Sequence, residues 1–142
     1  MPEISRLPPA AALAWLALLL AGCSTPSGPA QPSGPALSAA DGTRLDACAN
    51  GRCEVVVRAA DQVPLPSGAG FRVQSVGADG VTIAVSRDVA VQTMCLAGCT
   101  QSQSAADDYF QLDPRASVEF GGRSISVEAV SGDTAKLSVL GA

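Results

Sequence analysis

Five cysteines and no histidine set the chemistry open to this chain. Four of the cysteines fall into two close pairs, Cys48/Cys53 and Cys95/Cys99. Without an imidazole there is no Ser-His-Asp triad, no Cys-His nucleophile and no His-ligated metal. A four-cysteine zinc site would need C-x4-C and C-x3-C, spacings at the edge of zinc's usual range. Thiol–disulfide exchange prefers C-x-x-C at a helix start, where the thiolate is stabilised, and neither pair has that spacing. The adjacent carboxylates Asp107 and Asp108 are candidates for acid–base work. With Asp113 they offer oxygen ligands for calcium, but no EF-hand or Gly-Asp repeat accompanies them. Lys136, the only lysine, stands between apolar Ala135 and Leu137, so alternation turns it outward as a surface residue. Gly68, Gly70, Gly121 and Gly122 precede no helix with a Lys-Ser/Thr pair, so they read as turn residues rather than a phosphate cradle. No catalytic constellation, metal or cofactor is expected. The net charge of -4 argues against nucleic acid as a partner, because phosphate binding needs clustered Lys and Arg.

The elements that must position these residues begin after an address. Residues 1–22 start with Glu3 and Arg6 and continue in an apolar run from Ala10 to Ala21. About 12 apolar residues are too few for a bilayer core of about 30 Å and suit a secretory signal. The run ends Leu20-Ala21-Gly22-Cys23. This resembles the lipobox of bacterial lipoproteins. The resemblance implies diacylglyceryl transfer to the Cys23 sulfur and cleavage before Cys23. Acyl chains contribute about 0.8 kcal/mol per buried CH₂, enough in combination for a stable anchor. The expected location is the cell membrane, lipid-anchored, on its extracytoplasmic face. Removal of residues 1–22 takes Glu3 and Arg6 together and leaves the side-chain net charge unchanged.

After Cys23, residues 24–40 read STPSGPAQPSGPALSAA, with PSGPA repeated at Pro26–Ala30 and Pro32–Ala36. Such a composition buries too little apolar area to offset ordering entropy, so residues 23–40 are expected to form a disordered tether. At about 3.1 Å per residue it would reach roughly 50 Å.

Residues 41–142 remain for one modest core. No helical stripe is evident there, whereas period-two alternation is common. Strands are predicted at Cys53–Ala59, Phe71–Val76, Val81–Ser86, Val89–Leu96, Tyr109–Leu112, Ser117–Phe120, Ser124–Val130 and Ala135–Leu140. Turn signals separate them, among them Asn50-Gly51, Asp79-Gly80, Asp113-Pro114, Gly121-Gly122 and Gly132-Asp133. The predicted fold is all-β, a small antiparallel sandwich or barrel of about seven or eight strands. A weak repeat at an offset of 54 aligns Phe71, Val73, Val76, Val81, Ile83 and Val85 with Ile125, Val127, Val130, Ala135, Leu137 and Val139. It reads either as a duplicated unit or as two hairpins with ordinary alternation.

Three pairings of Cys48, Cys53, Cys95 and Cys99 are possible. An exported chain meets an oxidising compartment, which favours disulfides. Asn50-Gly51 predicts a two-residue hairpin that would set Cys48 opposite Cys53. Cys95 would then bridge to Cys99 across a bend at Gly98. The stretch Thr100–Asp108 reads as a mobile polar loop. The expected contact surface is the Cys95–Cys99 loop with Thr100, Gln101, Gln103, Asp107, Asp108 and Tyr109, because loops on rigid β scaffolds carry contacts. The Cys48-x-Asn50-Gly51-x-Cys53 segment leading into Glu54-Val55-Val56-Val57, in a lysine-poor chain, is similar to lipoproteins and secreted proteins of actinobacteria that have no assigned activity. That resemblance implies no reaction. The sequence thus points to a monomeric, non-catalytic envelope module that binds an unidentified protein or ligand. The alternative is a thiol-dependent redox or metal-binding envelope protein using Cys48, Cys53, Cys95 and Cys99.

Overall fold

Alternating residues of the strands turn one apolar row inward, and that row organises the domain. The computed structural model describes residues 35–89 and 92–141. The signal segment, the lipidation cysteine Cys23 and most of the tether lie outside the described residues.

Eight strands form one antiparallel sheet curled into a half-barrel: β1 (Cys53–Arg58), β2 (Gln62–Pro64), β3 (Gly70–Gly77), β4 (Gly80–Ser86), β5 (Thr93–Gln103), β6 (Asp107–Phe120), β7 (Arg123–Ser131) and β8 (Thr134–Gly141). The order is β1-β8-β7-β6-β4-β3-β2, with β5 paired to β6 off this path. β3 meets β1, β7 and β8 across the interior, which closes the curl over the core. The core is made of Val55 and Val57 of β1, Val73 of β3, Val81 and Ile83 of β4, Phe110, Leu112, Val118 and Phe120 of β6, Ile125 of β7, and Leu137 and Val139 of β8. Phe71 meets Phe120 edge to face at 6.5 Å. Each such side chain contributes about 1.5–3 kcal/mol through burial. The all-β antiparallel prediction holds, with a single curled sheet as its form.

The repeat extends further than the sequence signal. β3 and β4 pair Val73 with Ile83 and, after a bulge, Val76 with Val81. β7 and β8 pair Val127 with Leu137 and, after a bulge at the matching place, Val130 with Ala135. Every one of these partners lies 54 residues beyond its counterpart. β6 stands where β1 and β2 stand in the first half. β1 pairs β8 as the first part of β6 pairs β4, and β2 pairs β3 as the last part of β6 pairs β7. Even the kink recurs, at Ala60 (φ 72) and Arg115 (φ 73). The strand pairing therefore maps onto itself when the halves are exchanged, with a one-residue shift: β6 matches β1 and β2 at an offset of 55, and β7 and β8 match β3 and β4 at 54.

Four local expectations are corrected. Asn50-Gly51 does not make a hairpin. Leu45–Asn50 form a 3-10 helix that ends on Gly51 in the left-handed region (φ 83), and β1 pairs with β8 instead. Tyr109–Leu112 and Ser117–Phe120 are one strand, because the Asp113-Pro114 signal produces a kink inside β6 rather than a turn. Pro114 has no N–H to give the ladder, and opposite it β5 carries its own register shifts around Ala97. Thr100–Asp108 is not a loop: Thr100–Gln103 belong to β5 and Asp107-Asp108 begin β6. The strand predicted from Val89 starts at Thr93, and the short β2 was not foreseen. Ahead of Asp41, the Ala40 amide donates to the Glu54 carboxylate at 3.0 Å, and the Ser131 hydroxyl donates to the Pro35 carbonyl at 2.7 Å.

Candidate surface at the β5 edge

A sheet edge exposes backbone donors and acceptors, and proteins usually cover, shorten or charge it. Two of the edges here are handled in that way. Along β1 the Asp41 amide donates to the Glu54 carbonyl at 2.9 Å, and the Val56 amide donates to the Gly42 carbonyl at 2.7 Å. β2 is three residues long and ends in Pro64. β5 is eleven residues long, and its sequence TMCLAGCTQSQ holds no Asp, Glu, Lys, Arg or Pro. Among the described residues it pairs only with β6. Met94 and Leu96 are 56 % and 48 % exposed, two of the three large apolar side chains in the open among the described residues.

The disulfide Cys95–Cys99 bridges the bulged part of β5, with Cα atoms 5.8 Å apart. Cys95 lies opposite Val118 and Cys99 opposite Leu112, both fully buried, so the bridge sits over the margin of the core. A side chain at Gly98 would come within 3.2 Å of the Ala116 Cβ, so its absence lets the bulge approach β6. Its φ of 61 adds a second reason for glycine. The bridge ties the irregular centre of the strand and leaves its two ends regular. Thr93, Met94 and Cys95 pair in one register, and Cys99 to Gln103 pair in another.

The other predicted contact residues are brought to the same strand pair. Thr100, Gln101 and Gln103 lie in β5 opposite Gln111, Phe110 and Asp108. Tyr109 is half-buried beside Ser102, while its neighbour Phe110 is wholly buried. Asp107 and Asp108 do not act as a carboxylate pair. Asp108 accepts from the Arg87 guanidinium at 2.9 Å, and Asp107 lies 3.8 Å from Arg72. Each carboxylate has its own cation, an arrangement suited to holding β6 against β3 and the segment after β4. Lys136 is less solvated than an ordinary surface lysine, since its ammonium lies 2.9 Å from the Glu54 carboxylate.

Cys48 and Cys53 form the second bridge, with Cα atoms 4.9 Å apart, although through the 3-10 helix rather than a hairpin. Cys48 is fully buried and Cys53 nearly so. With all four cysteines bridged, no thiolate remains on them for zinc. Among the described residues no three His, Cys, Asp or Glu side chains converge.

Sequence reasoning included Leu96 in the Cys95–Cys99 part of the expected surface but placed Met94 only in the strand Val89–Leu96, without singling out either side chain as exposed. The available signal was the lack of any charged residue from Val89 to Ala106. Comparison with known proteins adds no name to this surface: no protein family, no curated protein and no solved structure matches the chain.

Proposed function

We propose that this chain is a lipid-anchored extracytoplasmic binding module, non-catalytic, that takes an extended segment of an envelope protein onto the outer edge of β5. The observation that carries this reading is the uncharged, uncovered, eleven-residue edge in a sheet whose β1 and β2 edges are covered or shortened. Addition of a strand gains main-chain hydrogen bonds along the edge, and alternate side chains supply selectivity. Met94 and Leu96 would give the incoming strand apolar contacts, and Thr100, Gln101 and Gln103 polar ones. The lipobox-like Leu20-Ala21-Gly22-Cys23 and the Pro/Gly/Ser-rich tether support a position held clear of the membrane surface.

The test is photo-crosslinking in the membrane fraction, with a reactive side chain placed at Leu96 and, separately, at the exposed Glu128 of β7. A discrete adduct from position 96, absent from position 128 and lost when Met94→Lys is added, is expected. Equal adducts from both positions, or none from position 96, would remove the β5 reading. The intact mass of the extracted chain checks the anchor: it should equal residues 23–142 plus lipid.

A further inference from the structure

The halves differ at one turn in a way that strand pairing does not require. β6 and β7 join through Gly121-Gly122 into Arg123, whereas the matching positions of the first half hold Ser67, Gly68 and Ala69. Both turns use left-handed backbone: Gly121 (φ 57) and Gly122 (φ 75), against Ser67 (φ 67) and Gly68 (φ 73). The β2–β3 turn is one residue longer and closes on Leu65 and Ala69, whereas the β6–β7 turn closes on Phe120 and Arg123, so the first half has no arginine at its closing position.

Arg123 is held in place. Its Nη1 donates to the Gly121 carbonyl at 3.3 Å. Its Nε is buried and has no acceptor. Gly51 makes the room, because a side chain there would stand 2.8 Å from Nε and 3.3 Å from Nη2. Beside it open Arg52 and Asn50, so that the end of the 3-10 helix and the β6–β7 turn wall a cleft of about 520 Å³. Among the described residues no Asp or Glu lines this cleft. Arg44, Arg72, Arg87 and Lys136 are ion-paired, whereas among the described residues Arg52, Arg58, Arg115 and Arg123 are not, and of these four only Arg52 and Arg123 line this cleft. Two arginines without an ion pair among the described residues, lining one cleft in a chain of net charge -4, oppose the general electrostatics of the molecule.

The geometry points to an oxyanion site: we infer that Arg52 and Arg123, with the Asn50 amide, receive a carboxylate or phosphate group of a small ligand. Guanidinium forks bind either group through two parallel hydrogen bonds. Preorganisation of Arg123 by Gly51 and Gly121 lowers the ordering cost on binding. The cleft is separate from the β5 edge and does not depend on a strand docking there.

Backbone amide NMR of the full chain in detergent micelles, titrated with inorganic phosphate and in parallel with succinate, tests this inference. Saturable shifts at Gly51, Gly122 and Arg123 are expected with at least one probe, and which probe saturates first identifies the group. Arg52→Gln and Arg123→Gln should each weaken that binding by about tenfold or more. Arg58→Gln, which removes an arginine elsewhere on β1, should leave it unchanged. Arg52 is exposed, so Arg52→Gln reads binding even if Arg123→Gln disturbs the turn. Non-saturating shifts with both probes, or equal weakening by Arg58→Gln, would show general ionic screening and overturn the site.

Discussion

The halves Cys53–Ser86 and Asp107–Leu140 share strand pairing, bulges and kinks, yet the chain leads into them in different ways. The lead-in to the first half folds down. Ala40–Gly42 bond along β1, the 3-10 helix Leu45–Asn50 packs beside β1 and β2, and its disulfide is buried. The lead-in to the second half is β5, which runs the length of β6 with its outer edge open and its disulfide at the surface. One pairing scheme therefore carries two kinds of flank. The repeated strands bury apolar rows and supply stability. The flank whose outer backbone is unpaired among the described residues is the one proposed to meet a partner.

If that division is right, the largest effects belong to the repeated rows, and they should be equal. Ile83 and Leu137 occupy matching positions and are both fully buried. Ile83→Ala and Leu137→Ala should each cost about 3 kcal/mol, within a range of about 2–5. Urea denaturation of each variant checks this. A difference beyond about 1.5 kcal/mol would mean that the halves share pairing without sharing load.

The disulfides separate the flanks. Either short loop contributes about 2 kcal/mol through restriction of the unfolded chain. The Cys48–Cys53 bridge is also packed in the core, so Cys48→Ala with Cys53→Ala leaves a cavity as well. It should cost about 3 kcal/mol or more, against about 2 kcal/mol or less for Cys95→Ala with Cys99→Ala. Midpoints of urea unfolding rank the two. The reverse order would make the β5 bulge the structural element and the 3-10 helix the dispensable one.

The difference between flanks also explains what the sequence could disclose. Alternation revealed β1, β3, β4, β7 and β8, because a buried row of Val55 and Val57, or of Val81, Ile83 and Val85, repeats every second residue. The same reasoning cut β6 in two, since a local rule reads Asp113-Pro114 as a turn. The strand continues there because β5 bulges opposite, a long-range match that no local window contains. The polar run Thr100–Gln103 shows no alternation because it faces solvent on both sides, so only its pairing with β6 reveals it as strand. The candidate surface was thus legible as a location, through its cysteines and lack of charge, but not as an edge. The meeting of Arg52 with Arg123 was not legible at all, since 70 residues separate them and only the fold joins the two turns.

An edge that serves binding rather than folding should tolerate charge. Leu96→Lys sits at an exposed position and should change stability by less than about 0.5 kcal/mol. The matching insult on the covered edge, Val56→Lys, should cost more, because Val56 is half-buried beside Gly42. Thermal unfolding of both variants decides it. If Leu96→Lys destabilises as much as Val56→Lys, the β5 edge belongs to the fold and the contrast between flanks fails.

The smallest effect is a pH dependence confined to the first flank. The Lys136 ammonium, bonded to the Glu54 carboxylate, holds the Glu54 pKa below its ordinary value of 4.5, and the Ala40 amide acts in the same direction. A carboxyl whose folded pKa is lowered gives up stability as it is protonated. The contribution is complete above 4.5, where both folded and unfolded chains are ionised. It is lost as pH falls from there through the lowered folded value. Wild type and Glu54→Gln should therefore differ in urea midpoint near neutral pH and converge in acid. Glu54 is part-exposed, so the difference should be small and shrink with added salt. Asp108→Asn, which breaks the Arg87 pair at the start of β6, provides the comparison in the second half. Convergence in acid for Glu54→Gln would place the Ala40–Glu54–Lys136 cluster among the bonds that fasten the first lead-in to β1 and β8. A constant gap between wild type and Glu54→Gln across the same pH range would assign the effect to lost packing, and the covered edge would then rest on the backbone bonds of Asp41 and Gly42 alone.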